Sequence, residues 1–141
     1  MTSVSQQAGL SLILELLHKT SRRFQHGEST DAPSTDVGDN VTLFGAAGGC
    51  VAGEQAVQSL WHNAAVHLGG SGATAIYEVL SSHIEDGLAY VAAIERIARP
   101  DGRVIVLRVT SVFRCFAGEW QLVHRHADPY RESPFEAQHV G

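Results

Sequence analysis

The chain has 141 residues, 44% of them hydrophobic and 18% charged, which fits one domain with a real core and excludes a disordered chain. The formal net charge is -5, and the basic residues Lys19, Arg22 and Arg23 share a single amphipathic stretch. Phosphate binding needs concentrated positive charge, so nucleic acid is not an expected partner.

Residues 4–25 predict a first helix. Leu10, Ile13, Leu14, Leu17 and Phe24 recur at three and four, which makes one apolar stripe. The run LSLILELL lacks a positive n-region and a cleavage site, and Glu15 interrupts it, so neither a signal peptide nor a membrane span is read. A cytoplasmic protein without membrane contact is the expectation. Residues 28–40 are polar and aperiodic and predict a loop. VTLF, 41–44, predicts a short strand. The GAAGG at 45–49 lacks both G-x-G-x-x-G and G-K-[ST], so it reads as a flexible turn between strand and helix rather than a phosphate loop. Ala56, Val57, Leu60, Ala64 and Leu68 give residues 54–68 a helical apolar face, with Trp61 and His67 near it as packing or surface residues.

Four long strands follow, at 73–84, 88–98, 103–116 and 119–128, punctuated by Gly87, Pro100-Asp101-Gly102 and Ala117-Gly118. The tail, 129–141, is polar and carries two prolines, which predicts a loose end to an ordered core of about 4–128. Two helices against one face of a curved antiparallel sheet make an α+β domain with a conical pocket.

Cys50 and Cys115 form no C-x-x-C pair and no zinc spacing, and read as two buried thiols, with a reducing compartment the expectation. Eight histidines make the net charge sensitive to pH. Of these, His18, His26, His62, His83 and His139 read as surface residues.

His124 and His126 lie in WQLVHRHADPY, 120–130, an apolar strand that turns polar at its end. Pairing the last two strands around Ala117-Gly118 places Thr110 opposite His126, Val112 opposite His124 and Arg108 opposite Asp128. One sheet face then carries Arg108, Thr110, Val112 and Arg114 with Leu122, His124, His126 and Asp128. The other carries Leu107, Val109, Ser111 and Phe113 with Val123, Arg125 and Ala127. The same counting brings Glu95 close to Leu107 and Arg108. A one-residue slip would change every partner.

Two arrangements remain open. If the histidine face looks into the cone, His126 is the general acid or base, Asp128 orients it, and Arg108 and His124 hold ligand. If that face looks outward, it meets a second copy, and Arg125 with Ser111 holds the ligand, the guanidinium capturing a carboxylate. No third ligand joins the histidine pair, so no metal is expected, and no cofactor.

The layout resembles the NTF2-like superfamily, in its SnoaL-like or ketosteroid-isomerase-like branch, over roughly residues 8–128. DNVTLFGAAGG (39–49), GEQAV (53–57), LAYVAAIER (88–96), LRVTSVFR (107–114) and above all GEWQLVHRHAD (118–128) carry the resemblance. It implies a cone-shaped α+β barrel, a homodimer through the outer sheet face, and a small-molecule ligand in the pocket. The activity implied is a cofactor-independent isomerase, cyclase, dehydratase or hydrolase acting on an apolar or polyketide-like substrate. The alternative is a non-catalytic ligand-binding or assembly domain. The resemblance also implies departures. Epoxide-hydrolase relatives place an acid where Arg125 stands. The aspartate, tyrosine and protonated acid of the steroid isomerases find no counterpart by spacing, since no acid pairs with Tyr77 or Tyr90, so the steroid isomerase reaction itself is not expected.

Overall fold

The computed structural model describes residues 4–25, 40–68 and 72–131. The elements in chain order are α1 (Val4–Gln25), β1 (Thr42–Phe44), β2 (Cys50–Ala52), α2 (Glu54–Leu68), β3 (Thr74–Glu85), β4 (Leu88–Ala98), β5 (Val104–Phe116) and β6 (Glu119–Pro129). The strands form one sheet in the order β2-β1-β6-β5-β4-β3. Both helices and all four long strands fall where periodicity and turn chemistry place them. The predicted loop 28–40 lies outside the described residues except Asn40, and the predicted tail lies outside them beyond Arg131.

Two features differ from the expectation. GAAGG does not lead straight into the helix. It closes a hairpin, with the Gly45 N–H donating to the Gly49 carbonyl at 2.8 Å, and Gly48 takes φ 99° to do so. The return strand β2 has three residues, too few to show a period. The sheet is also mixed rather than antiparallel, because β1 runs parallel to β6 with Thr42, Leu43 and Phe44 opposite His124, Arg125 and His126.

The α1 stripe lies on the sheet through Ile13 and Leu17, which join Ile84, Ala89, Val91, Ala93, Phe113 and Leu122 in the main core. Gly9 lets the helix approach closely, since a Cβ there would stand 2.9 Å from the Ile84 methyl. A second cluster, Ala73, Ile97, Leu107, Val109 and Ala127, fills the other end of the same face. A third, Val41, Leu43 and Val57, joins β1 to α2. These contacts define an inner face, covered by the helices, and an outer face.

Two β-bulges set which side chains point inward. In β3 the ladder skips Leu80, and in β6 it skips Val123. The second explains a correction. Leu122, expected beside the histidines, is 1% exposed in the main core, because the extra residue reverses the alternation between Leu122 and His124.

Candidate active site on the inner face

Arg125 points to the inner face of β6 and is buried. Its Nη1 donates to the Tyr77 hydroxyl at 2.6 Å, and its Nη2 donates to Glu95 Oε1 at 3.1 Å. The guanidinium lies over the Trp61 ring, 4.8 Å from its centroid. Four elements therefore meet at one charge: β6, β3, β4 and α2.

The register explains the reach. Tyr77 is the cross-strand partner of Glu95, and Glu95 of Leu107. Arg125 faces Ser111, four residues along β5 from Leu107. Between them lies the row Ala93–Val109–Ala127, whose short side chains leave room for a long one to cross. Ser111 is 1% exposed, and its hydroxyl has no hydrogen-bonding side-chain partner among the described residues.

Electrostatics fix the protonation states. Burial pushes the Tyr77 hydroxyl up to about 12; the Glu95 charge adds to this, and Arg125 works against it. Tyr77 is thus a neutral O–H donor at any physiological pH. Burial also works against the Arg125 charge, but Tyr77 and Glu95 more than offset it, and the guanidinium is held above its ordinary range. A permanent cation, a carboxylate and a neutral phenol converge within hydrogen-bond range, which is the composition of a site that can move a proton and stabilise an oxyanion.

The other candidates lie on the outer face. Arg108 grips Asp128 with two bonds, Nε to Oδ1 at 2.8 Å and Nη2 to Oδ2 at 2.6 Å. These bonds hold the Asp128 carboxyl below its usual range, with the Arg108 and His126 charges contributing. Arg108, Thr110, His126 and Asp128 line a shallow open depression. His124 Nδ1 lies 2.7 Å from the Thr42 hydroxyl, and the Phe44 ring stands edge-on to both histidines. The arrangement with the histidine face inside the cone is therefore corrected. Asp128 serves Arg108 with both oxygens, and His126 faces outward. In the second arrangement Arg125 is inside, and it shares the inner face with the charge of Glu95.

Sequence reading missed Tyr77, Glu95 and Trp61 as parts of one site. Among the described residues no group of three His, Cys, Asp or Glu could hold a metal ion, and no helix is long and apolar enough to cross a membrane.

No family model and no curated protein matches the chain. Solved structures do match. An NTF2-like protein of unknown function from Pseudomonas putida superposes with a TM-score of 0.67 at 20% identity, covering 94% of this chain and 91% of that one. A protein with a cystatin-like fold from Caulobacter vibrioides gives 0.68 at 12% identity, covering 88% and 91%. A protein of the NTF2-like family from Streptomyces avermitilis, provisionally described as a dehydratase, gives 0.64 at 15% identity, covering 89% and 98%. With two helices packed on a curved, unclosed six-stranded mixed sheet, and these structures alike over nearly their whole length, the chain has the NTF2-like, cystatin-like α+β fold.

Proposed function

We propose that the protein binds an uncharged, largely apolar carbonyl compound on the inner face and catalyses a cofactor-independent proton transfer on it, as an isomerase or dehydratase of the ketosteroid-isomerase type. The observation that carries this reading is the contact of Arg125 with both Tyr77 and Glu95. Arg125 occupies Oε1 of Glu95, which leaves Oε2 to accept a proton. A carbon–hydrogen bond beside the substrate carbonyl breaks, the proton goes to Glu95, and the electron pair moves to the carbonyl oxygen. The Tyr77 O–H and a remaining Arg125 N–H donate to that oxygen as charge develops. Glu95 then returns the proton to a different carbon, which completes an isomerisation. Arg125 and Glu95 cancel in charge, so the site favours a neutral ligand over a carboxylate. The outer face, which exposes Phe44 and Tyr90 and carries the Arg108–Asp128 pair, is on this reading the surface that meets a second copy.

Deuterium exchange into ligand tests the chemistry. A panel of cyclic ketones is incubated with protein in heavy water, and incorporation beside the carbonyl is followed by mass spectrometry. Wild type accelerates incorporation into at least one ketone. Glu95→Gln slows it by about 10²–10⁴-fold, the usual contribution of a positioned acid–base group. Equal incorporation by wild type and Glu95→Gln contradicts the assignment.

A further inference from the structure

The three-residue strand β1 holds the whole β1–β2–α2 unit against the sheet. Val41, Leu43 and Val57 form a cluster of their own, α2 packs chiefly on β1 and β2, and Ala46 of the hairpin turn touches the second cluster of the long strands. The junction is a parallel ladder from Thr42–Phe44 to His124–His126. Each residue of β1 meets something different there. Leu43 lies opposite Arg125 on the inner side, where Trp61 of α2 covers the guanidinium. Thr42 and Phe44 lie on the outer side, against His124 and His126. Small units with their own core and a short ladder are the ones that open first.

We propose that β1, β2 and α2 form a lid over the Arg125 cluster, latched on the outer face by Thr42 and His124 and loosened when His124 takes up a proton. The proposal does not depend on what the inner cluster binds. Protonation puts a charge on a partly buried imidazole that contacts Thr42 and the Phe44 ring. The charged groups facing the latch do not cancel this. Asp128 is held by Arg108 with both oxygens and its charge acts on His126 rather than His124, β5 adds the cation Arg114, β1 has no titratable group, and β2 contributes only the Cys50 thiol opposite Phe44. Burial, and then His126, hold His124 below its ordinary range, with a backbone bond to Thr42 working against them. The closed lid therefore favours neutral His124. Its closure is strongest above the ordinary histidine value of about 6.5 and weakens as pH falls below it.

Hydrogen exchange of the full chain tests the latch, read by peptide mass spectrometry at about pH 7.5 and about pH 5.5, corrected for intrinsic rates, at two protein concentrations. Protection of residues 41–61 falls in acid by up to about tenfold per pH unit, the limit for one proton, while β5 is unchanged. His124→Gln can still bond Thr42 and does not titrate, so its lid loses the pH dependence. Thr42→Val loosens residues 41–61 at both pH values. The proposal is overturned if wild-type protection is independent of pH or falls evenly across the sheet. It is equally overturned if the loss scales with protein concentration, as dissociating copies would cause, or persists undiminished in His124→Gln.

Discussion

Arg125→Ala lowers the stability of the domain by about 3–5 kcal/mol at neutral pH, the cost of leaving one member of a buried ion pair without its partner. The side chains of Arg125 and Glu95 are only 10% and 12% exposed, so water does not take the place of the lost guanidinium. Tyr77 loses its 2.6 Å donor and Trp61 loses the cation over its ring in the same step. Domains of this kind have about 5–15 kcal/mol in total, so the variant sits near its folding limit. Urea denaturation at neutral pH measures the loss. The paired replacement Arg125→Met with Glu95→Leu is less costly than Arg125→Ala alone, because no charge is stranded. A deficit for Arg125→Ala below about 1 kcal/mol, the range of exposed ion pairs, contradicts the burial of the cluster.

Deleting Val123 costs more than about 3 kcal/mol, whereas Val123→Ala costs about 1 kcal/mol. The residue matters by its presence rather than by its side chain. It is the extra residue of the β6 bulge, and it lets Leu122 and Arg125 both face inward although an odd number of positions separates them. Without it one side of the bulge must flip. If the segment beside the Ala117-Gly118 turn shifts, Leu122 leaves the core and Trp120 leaves its packing beside it. If the far segment shifts, Arg125 turns outward and the histidines turn in, which strands Glu95. The first is less costly and still opens a cavity the size of a leucine beside Phe113. Urea denaturation and near-ultraviolet dichroism of the two variants separate the effects. A deletion no worse than Val123→Ala would show that the bulge does not set the register.

The same bulges mark the limit of what the sequence makes legible. Apolar stripes and turn residues locate both helices and the four long strands, because those signals are local. A count centred on Gly118 pairs Arg108 with Asp128 and Thr110 with His126; the ladder starts one residue tighter, with Phe116 opposite Glu119, and the β6 bulge makes up the difference, so those pairs come out as expected. The Tyr77–Glu95 pair does not follow. Counting unbroken from Glu85 opposite Leu88 pairs Tyr77 with Arg96, on the other face; the bulge at Leu80 shifts it by one, onto Glu95. Nothing in EVLSS announces that bulge. The parallel pairing of β1 with β6 and the approach of Trp61 to Arg125 are long-range packing, which no local pattern encodes. Arg125 was legible as an inward residue only as one of two choices. The contacts of Ile13 and Leu17 with Phe113 decide between them, by showing which face the helix covers.

The most direct test of the inner cluster as a ligand site is thermal denaturation of wild type and Tyr77→Phe with neutral phenols and ketones on one side and small carboxylates on the other. A ligand at about 100 times its Kd stabilises the native state by roughly 2.7 kcal/mol, a readily measured rise in Tm. The account predicts that neutral oxygen-bearing ligands stabilise wild type, that Tyr77→Phe loses most of the rise, and that carboxylates do little. Stabilisation by carboxylates alone would contradict it and make Arg125 an anion anchor, while no stabilisation by any of them would reduce the cluster to a structural ion pair.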